Sequence, residues 1–397
     1  MEHTPQPLTI GIFTDTHQPE QNGVVTSIVS TTRALRRRGH RVIVVAPAHP
    51  EGDEEHPDVF HLRSTSFPFY PGYRMAFPLP AKLVANLPAV PFDVIHAQTF
   101  FFIGCLGAYL ARLRTTPLFF TYHTKFEDYL HYLPVHQRIT KLQTRWLSRE
   151  FSNQCDRVIA PSQGTADLLR SYDITAPLEI LPGGVDLESF GPDAQEPAVI
   201  RDARPGPVLL SVGRLGKEKN LDLLLDAFAL VLRSHPGARL IMVGDGPYRE
   251  ELQRRAETIG AGGQIIFVGA LDQAQLGAYY RNADVFLFTS LTETQGLVLV
   301  EALAHGLPVV SVDCPVTREI VIGDSGILTS ESASALAEAV ASVVDGPVER
   351  AQRAAAARLA AAPFSVDALA ERLEKLYLRA RNELDRKGNL VFTRRQR

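Results

Sequence analysis

The 397-residue chain has few cysteines and no long apolar run. Its three cysteines, Cys105, Cys155 and Cys314, are far apart and form no Cys-x-x-Cys motif, which argues against a disulfide framework and against a structural zinc site. No stretch of about 18 apolar residues could span a bilayer. The first residues, MEHTPQPLTIGIFTD, lack the basic start and apolar core of a signal peptide. We therefore expect a protein of the reducing cytoplasm without a membrane-spanning helix.

Excess charge and two common phosphate-binding motifs are also missing. The formal net charge is −3, which gives no electrostatic reason to expect nucleic acid as a partner. No Asp-x-Asp pair is present to hold Mg²⁺ against a diphosphate, and no Gly-x-Gly-x-x-Gly opens the first predicted helix. If a diphosphate binds, side-chain cations and helix N-termini must neutralise it. We predict no metal site and no bound cofactor.

What the sequence does contain is a regular alternation of strand and helix patterns, which predicts parallel sheets covered by helices. One series of apolar strands runs from LTIGIF to DRVIAPS, and a second runs from PVLLSVGRL to LPVVSVD. The segment between them is rich in proline and small polar residues, as is typical of a linker. We predict an α/β chain with two Rossmann-like domains facing a central cleft, at residues 1–190 and 207–363, joined by a linker at 191–206.

A further helix is predicted after the second domain, at residues 364–386. Its apolar stripe at helical spacing consists of Val366, Leu369, Leu373, Leu376 and Ala380. Such a stripe has to be buried against something, and we expect the helix to pack back toward the N-terminal domain.

The segment TETQGLVLVE places two carboxylates, Glu293 and Glu301, eight residues apart around Gly296. The preceding DVFLFTS predicts a buried strand, and the residues after the segment predict the end of a helix. Ligands of open α/β sheets bind at the carboxyl ends of strands beside helix N-termini, so this is a candidate binding loop. Taken alone, the pattern fits a solvated loop and a surface helix equally well.

Cations follow another predicted strand. After PVLLSV come Gly213 and Arg214, and Lys219 stands five residues further on, at the start of a helix. An arginine and a lysine so placed can bracket a phosphate, although two ordinary surface cations give the same pattern. In the first domain, Gly23 opens a helix and can present its N–H to an anion, and His123 ends a strand. An Asn-Gly pair is also a common turn, and a histidine at such a place is more often structural.

Two segments lack acidic residues altogether. Residues 59–92 contain seven aromatics and three cations, and their proline-rich middle, FPFYPGYRMAFPLP, predicts an apolar, basic loop. Residues 129–149 include a helix with a cationic stripe beside an apolar one that contains the only tryptophan, Trp146. The cationic stripe consists of Arg138, Lys141, Arg145 and Arg149. Such a helix suits an anionic membrane surface; the alternative is a helix whose apolar stripe faces the protein core.

Together these segments resemble the retaining glycosyltransferases of family 4, which have the GT-B fold. The resemblance covers nearly the whole chain and is carried by NGVVTS, APSQGTADLL, LPGGVDLESF, VGRLGKEKN, VGDGPYREEL, FVGAL, ADVFLFTS and ETQGLVLVEALAHGLPVV. Within the family, PFYPGYRMAFP and YHTKFEDYLHYLP look like the diacylglycerol glucosyltransferases, which make membrane glucolipids.

The resemblance implies roles for five residues of the Glu-x7-Glu segment. Glu301 matches the family glutamate that binds the nucleotide ribose, and one carboxylate can accept both hydroxyls of a diol. Glu293 matches the glutamate that contacts the hydroxyls of the donor sugar. Gly296, Leu297 and Val298 would present their N–H groups to sugar and phosphate at the helix start.

The resemblance extends to five further residues. Arg214 and Lys219 match the pair that binds the diphosphate, and His123 matches a histidine near the sugar. Gly23 matches the glycine of the first domain that lies against the phosphate. Val268, in FVGAL, matches the segment that contacts the base through its backbone. Of these ten matched residues, Arg214, Lys219, Glu293 and His123 would be catalytic.

The implied reaction is transfer, with retention, of a hexose such as glucose from a nucleoside diphosphate sugar such as UDP-glucose to a lipid hydroxyl such as that of diacylglycerol. The enzyme would bind peripherally to the anionic inner face of the cell membrane. The surface expected to face membrane and acceptor comprises Arg138, Lys141, Arg145, Trp146, Arg149, Phe69, Tyr70 and Tyr73. Gln295 stands where many family members have an aromatic residue, which leaves donor selectivity open.

Three alternatives remain at this stage. The first is a GDP-mannose-dependent or other nucleotide-sugar transferase with a soluble or different lipid acceptor. The second is a two-lobed sugar-binding module without catalysis, against which the cation pair and the two glutamates argue. The third is a nucleotide-sugar epimerase, which would turn over UDP-glucose without any acceptor.

Overall fold

The computed structural model describes residues 6–20, 22–50, 56–67, 70–76, 90–123, 137–191 and 195–395. Contacts between residues divide the chain into two compact units. The first unit consists of Met1–Gly184 together with Val366–Arg397, and the second consists of Val185–Ser365.

The secondary structure alternates between strands and helices in both units. The strands are β1 (Thr9–Phe13), β2 (Arg41–Pro47), β3 (Val59–Leu62), β4 (Ser64–Phe67), β5 (Tyr70–Ala76), β6 (Val94–Ala97), β7 (Leu118–Thr121), β8 (Arg157–Ala160), β9 (Leu178–Ile180), β10 (Val208–Val212), β11 (Arg239–Val243), β12 (Ile265–Gly269), β13 (Val285–Phe288), β14 (Val309–Val312) and β15 (Gly326–Thr329). The helices are α1 (Gly23–Arg37), α2 (Phe102–Arg114), α3 (Gln137–Ser152), α4 (Gln163–Ser171), α5 (Ala198–Arg201), α6 (Leu221–Ser234), α7 (Arg249–Thr258), α8 (Gln273–Asn282), α9 (Leu297–Ala304), α10 (Pro315–Ile320), α11 (Ala333–Val344), α12 (Pro347–Ala361) and α13 (Val366–Arg395).

The first unit is built on a parallel sheet with the order β3-β2-β1-β6-β7-β8-β9 among its described strands. One face of the sheet packs against residues of α2 and α4, and the other packs against α1 and α13. The central strands β2 and β6 are almost continuously buried because helices cover both faces. This is a Rossmann-like arrangement, as predicted.

A short ribbon stands beside this sheet. β4 and β5 pair antiparallel within residues that the sequence predicted to be a loop, so that prediction was wrong for this part. A two-stranded ribbon tolerates the proline in β5 because it consists of edge strands. Arg74 holds the ribbon, donating from Nε to Ser64 Oγ at 2.7 Å and to the carbonyl of Ala48 at 3.0 Å. One of the cations of this basic segment is therefore used internally.

α13 belongs to the first unit by its contacts. Val366, Leu369 and Leu373 are buried in the same apolar cluster as residues of β1, β2 and α1. Two polar residues on the buried face, Glu374 and Tyr377, were not part of the predicted stripe. Each has a hydrogen-bond partner that stabilises its buried polar group.

The buried polar groups of α13 connect it to the sheet and to the end of α1. Arg38 Nε donates to Glu374 Oε2 at 2.6 Å, and the Glu374 side chain is 3% exposed. Tyr377 Oη lies 2.6 Å from Nδ1 of His96, a buried residue of β6. Burial lowers the pKa of His96 to about 3, so this histidine is neutral in the folded protein.

The second unit has the sheet order β12-β11-β10-β13-β14-β15, again with parallel pairing throughout the described strands. Phe190, Ile200 and Ala203 are buried in its core. The contact boundary at Gly184–Val185 therefore precedes the segment that the sequence assigned to a linker. Among the described residues, no helix is both long enough and apolar enough to cross a membrane.

Candidate active site

The strand order of the second sheet brings two loops together. β10 and β13 are neighbours, with Leu209 opposite Val285, although β11 and β12 lie between them in the chain. The connections leave this pair in opposite directions, so it marks the topological switch point where ligands of such sheets bind. The loop after β10 holds Arg214 and Lys219, and the loop after β13 holds Glu293.

Lys219 and Glu293 meet at this point. Lys219 Nζ lies 2.5 Å from Glu293 Oε1, and the two side chains are 19% and 18% exposed. The Oγ1 atoms of Thr289 and Thr292 donate to the carbonyls of Lys219 and Glu218, at 3.2 and 3.1 Å. These bonds hold the two loops together, so the sheet brings side by side a cation and a carboxylate that are far apart in sequence.

Arg214 lies against a carboxylate that the sequence reasoning missed. Its Nη1 is 3.6 Å from Glu218 Oε1, and the Glu218 side chain is only 4% exposed. The signal that could have found Glu218 is its spacing, four residues after Arg214 and directly before Lys219. With Glu293, these side chains form a group of two cations and two carboxylates. An incoming anion therefore has to compete with carboxylates for both cations.

Gly296 ends the β13 loop and caps α9. Its φ of +64° lies in the left-handed region that favours glycine, and a Cβ at this position would lie 3.0 Å from Leu299 Cδ1. The N–H groups of Leu297 and Val298 stand in the first turn, which has no carbonyl of its own to bind them. Nε2 of Gln295 is buried and, among the residues that the structure describes, has no hydrogen-bond acceptor. The loop thus directs several backbone donors to the start of α9.

Glu301 is a buried carboxylate inside α9. Tyr280 Oη donates to its Oε2 at 2.7 Å, while burial raises the pKa of Glu301 to about 7. His305 Nδ1 lies 2.8 Å from the carbonyl oxygen of Glu301, and the His305 ring stacks on Tyr280 with centroids 5.3 Å apart. Neither Tyr280 nor His305 was predicted as a site residue. The spacing of four residues between Glu301 and His305 is a signal for the second, whereas the contact of Tyr280 depends on packing between α8 and α9.

Val268 lies near the carboxyl end of β12 and is half-buried. The carbonyl of the next residue, Gly269, accepts a hydrogen bond from Gly244 N at 2.8 Å. A Cβ on Gly244 would lie 2.0 Å from the carbonyl oxygen of Gly213. The ends of β10, β11 and β12 are therefore packed backbone against backbone, which fixes the strand ends around Val268.

Gly23, the first residue of α1, is exposed in the first unit. Oδ1 of Asn22 caps the helix by accepting from the N–H groups of Val24 and Val25, both at 3.0 Å. Apart from its chain neighbours and its own helix, no described residue has an atom within 4 Å of the place where a Cβ on Gly23 would be. The N-terminus of α1 is therefore capped on one side and open at Gly23.

His123 follows β7 and is half-buried. Its Nε2 lies 2.7 Å from Oε1 of Gln98, which comes from the loop after β6. The amide oxygen accepts, so Nε2 carries the proton in this contact. Burial lowers the pKa of His123 to about 4. The imidazole is therefore neutral near pH 7 and is oriented by Gln98.

The switch point of the first sheet contains a buried carboxylate with a structural role. Asp15, after β1, accepts from the backbone N–H of Ile103 at 3.0 Å and from Thr99 Oγ1. α2 has no capping side chain at its own N-cap residue, Phe101. Asp15 supplies that cap from another loop, and burial raises its pKa.

The two described residues of the apolar stripe of α3 point outward. Leu142 and Trp146 are 68% and 59% exposed, whereas Ser148 and Ser152 are fully buried. For these two residues the structure rules out the alternative of a stripe that faces the core. A helix of this kind leaves an apolar surface for a partner or a membrane.

Two of the predicted cations of α3 are also exposed. Arg145 stands with its guanidinium carbon 5.2 Å from the ring centroid of Tyr172, and Arg149 is exposed one turn further on. Phe69 lies outside the described residues. The side chains of Tyr70, Tyr73, Arg138 and Lys141 also lie outside the described part of the structure.

The chain matches two family models. Residues 21–189 match the model described as Glycosyltransferase Family 4, and residues 195–360 match the model described as Glycosyl transferases group 1. The Streptococcus pneumoniae alpha-monoglucosyldiacylglycerol synthase is 32% identical over 322 residues, which cover 79% of this chain and 73% of that protein. The chain belongs to the family 4 glycosyltransferases.

Other members of this glycosyltransferase family are similar over more of the chain. The alpha-monoglucosyldiacylglycerol synthase of Acholeplasma laidlawii is 29% identical, with 94% of this chain and 97% of that protein covered. The GDP-mannose-dependent alpha-mannosyltransferase of Mycobacterium tuberculosis is 30% identical, with 88% and 90% covered. The family is thus shown, while its members differ in the donor and acceptor that their names state.

Solved structures establish the fold of this glycosyltransferase. A sucrose-phosphate synthase from Thermosynechococcus elongatus superposes with a TM-score of 0.75 at 22% identity, covering 94% of this chain and 99% of that one. The Anabaena protein HepE, solved in complex with UDP and glucose, gives 0.74 at 20% identity, with 94% and 99% covered. At such identities the likeness shows the fold alone, which is GT-B with two Rossmann-like domains, as predicted.

Proposed function

We propose that this glycosyltransferase moves glucose from UDP-glucose to the hydroxyl of a membrane lipid such as diacylglycerol, with retention at the anomeric carbon. The observation that carries the proposal is the contact of Lys219 with Glu293 at the switch point of the second sheet. In this contact, a cation that would bind the diphosphate lies beside a carboxylate that would accept hydrogen bonds from the sugar hydroxyls. The relatives named alpha-monoglucosyldiacylglycerol synthase support glucose and diacylglycerol as the substrates.

The donor would be held by residues of the second unit. Arg214 and Lys219 would bind the diphosphate, with help from the N–H groups at the start of α9. Glu293 would accept hydrogen bonds from the sugar hydroxyls, and Glu301 from the ribose diol. Val268 would contact the base through its backbone.

The first unit would contribute two residues, Gly23 and His123, to binding of the donor. Gly23 would lie against the diphosphate, since among the described residues outside its own helix none fills the space at its Cα. His123 would contact the donor sugar as a neutral ring, because its pKa of about 4 leaves it uncharged near pH 7. Gln98 keeps that ring oriented through the 2.7 Å contact.

Catalysis would come from stabilising the leaving group. As the bond between the sugar C1 and the phosphate oxygen breaks, negative charge grows on the departing diphosphate, where Arg214 and Lys219 act. The acceptor oxygen would form its new bond to C1 on the same face, and its proton would pass to an oxygen of the departing phosphate. This sequence retains the anomeric configuration without an enzymatic nucleophile on the opposite face.

These cations would take the place of a metal ion. We expect EDTA to leave turnover largely intact and Arg214→Ala to lower kcat by about 10²- to 10³-fold, by analogy with the loss of an oxyanion-stabilising donor. A requirement for Mg²⁺ combined with an indifferent Arg214→Ala variant would refute this part of the proposal.

The acceptor would be reached by peripheral docking through α3. Trp146 and Leu142 are exposed beside Arg145 and Arg149, as expected of a helix that lies in an anionic interface. Two cations near such a surface contribute about 1 kcal/mol each, and insertion of the apolar residues adds to this. Binding of this strength is reversible and weakens with salt, because the Debye length falls to about 3 Å at 1 M.

Trp146 offers a direct assay for docking, since it is the only tryptophan in the chain. We expect its fluorescence to shift to the blue with anionic vesicles and to stay unchanged with zwitterionic ones. The variant Arg145→Glu/Arg149→Glu should lose the shift while still binding UDP. Its matched control, Arg112→Glu/Arg233→Glu, reverses two cations outside α3 and should keep the shift. An unchanged shift in the α3 variant would refute docking through this helix.

A GDP-mannose-dependent transferase is the second candidate, favoured by the Mycobacterium tuberculosis relative. A single experiment separates the candidates. Purified protein is incubated with UDP-glucose, UDP-galactose or GDP-mannose, with and without diacylglycerol vesicles, and the products are read by mass spectrometry and anomeric NMR. An α-glucosyldiacylglycerol formed only with UDP-glucose and vesicles supports the proposal. Turnover without acceptor, or transfer from GDP-mannose alone, would contradict it.

A further inference from the structure

Glu301 accepts a hydrogen bond from a residue, Tyr280, to which the family resemblance assigned no role. Glu301 is 7% exposed, and one carboxylate oxygen, Oε2, accepts a hydrogen bond from Tyr280 Oη at 2.7 Å. Among the residues that the structure describes, no hydrogen bond reaches the other oxygen, Oε1. One half of the carboxylate is therefore occupied by the protein, and the other half is available to a ligand.

Tyr280 is itself fixed by aromatic packing. It is 1% exposed, its ring stacks on His305 at an interplanar angle of 20°, and Phe190 meets it edge-on with centroids 6.1 Å apart. Phe190 also contacts His305, at 4.9 Å. These contacts leave the hydroxyl little freedom to turn away from Glu301, since a packed ring keeps its orientation.

We propose that Tyr280 is a positioning residue for nucleotide binding, which holds the Glu301 carboxylate so that Oε1 faces the diol of the bound ribose. A hydroxyl is suited to this task because it donates a hydrogen bond and carries no charge of its own. An arginine or lysine in its place would pair with the whole carboxylate and compete with the ribose. The inference rests on the proposed function in one respect, that Glu301 serves the ribose.

The electrostatic surroundings make the effect of Tyr280 measurable. Burial raises the pKa of Glu301 to about 7, and the hydrogen bond from Tyr280 opposes that rise because it favours the charged form. The pKa of Tyr280 is raised well above its usual value, so it remains a donor. The other charged or titratable groups near Glu301 and Tyr280 are His305, Arg281 and Arg358. Burial lowers the pKa of His305, and the charges of the two arginines lower it further. Glu301 is therefore the group that titrates near neutral pH.

The test uses Tyr280→Phe, which removes one oxygen atom and keeps the ring. The matched control is Tyr279→Phe, on the same helix but without a contact to Glu301 in the described structure. Infrared difference spectra between each protein and its Glu301→Gln counterpart isolate the Glu301 carboxyl, and titration gives its pKa with no ligand present. Calorimetry with UDP, and with pyrophosphate as a probe lacking ribose, is run on the same proteins.

We expect the Glu301 pKa to rise by about one unit in Tyr280→Phe and to stay unchanged in Tyr279→Phe. Such a rise leaves about one-tenth of Glu301 ionised near pH 7 instead of half. UDP should therefore bind about fivefold more weakly at pH 7, and its affinity should recover at higher pH. Pyrophosphate binding should not change. In the Glu301→Gln background the Tyr280 substitution should have no effect on UDP.

Two results would overturn the inference, and they can be told apart. If wild type binds UDP and Tyr280→Phe leaves both the Glu301 pKa and UDP affinity unchanged, Tyr280 does not position the carboxylate, while the proposed function stands. If the pKa rises in Tyr280→Phe but Glu301→Gln binds UDP as tightly as wild type does, Glu301 does not serve the ribose, and that assignment in the proposed function fails.

Discussion

Neutralising Glu293 should separate nucleotide binding from sugar transfer. In the free protein Lys219 is engaged by Glu293 at 2.5 Å, so a diphosphate that binds the lysine has to share its charge with that carboxylate. Glu293→Gln keeps the shape of the side chain and removes its charge. UDP should then bind more tightly, because its competitor for Lys219 is gone. Transfer should nevertheless fall, because the sugar loses the carboxylate that accepts its hydroxyls.

The size of the gain in UDP affinity follows from the solvent exposure of the Lys219–Glu293 pair. A hydrogen bond between charged groups contributes about 1.5 to 3 kcal/mol, and the lower end applies because both side chains are about one-fifth exposed and solvent screens them. Since about 1.4 kcal/mol corresponds to a factor of ten, UDP should bind up to about tenfold more tightly. Loss of a contact made in the transition state lowers kcat by about 10²- to 10³-fold.

The assay combines calorimetry with UDP and turnover with UDP-glucose, on Glu293→Gln, Lys219→Gln and the double variant. Lys219→Gln should weaken UDP binding and transfer together. In the double variant the substitution at Glu293 should no longer increase UDP affinity, because the lysine that it would release is absent. If Glu293→Gln binds UDP more weakly than wild type, the carboxylate does not compete with the nucleotide. If it lowers only the melting temperature, the pair is a structural salt bridge.

Three further predictions concern the stability of the fold. Arg38→Ala should cost about 3 kcal/mol in chemical unfolding, because among the described residues the 3% exposed Glu374 carboxylate keeps only His40, 3.6 Å from its Oε1, as a partner. The control Arg37→Ala loses an exposed pair and should cost under about 1 kcal/mol, and equal losses would contradict the prediction. Gly296→Ala should destabilise the protein by about 1 to 2 kcal/mol and reduce UDP affinity, since the φ of Gly296 is +64°. An unchanged melting temperature and an unchanged UDP affinity in calorimetry would show that the loop accepts alanine without strain. The pKa of His96 is about 3 in the folded protein and 6.5 in the unfolded chain, so between these values only the unfolded state binds the proton, and stability falls by about 1.4 kcal/mol for each pH unit below 6.5. His96→Gln should flatten this slope in urea unfolding followed by circular dichroism, and an identical slope would refute the prediction.

The sequence by itself determined the class of fold and the elements of the candidate site. Alternating apolar runs and helix signals predict two parallel sheets, and the paired segments VGRLGKEKN and ETQGLVLVE supply the cations and carboxylates. Local patterning is enough for this, because burial on both faces of a strand and the start of a helix each leave a mark on neighbouring residues. The resemblance to family 4 then assigned a role to each residue, and these roles stay predictions.

Only the tertiary structure decided which of these residues meet. Lys219 contacts Glu293 because β10 and β13 are adjacent in the sheet, and strand order is a long-range property that no local pattern records. Tyr280 reaches Glu301 because α8 packs beside α9, and Glu374 is buried because Arg38 stands opposite it. A helical period shows which residues share a face, but what lies against that face depends on packing between distant segments. For the same reason the sequence left open whether the apolar stripe of α3 faces the core, and the structure turns Leu142 and Trp146 toward solvent.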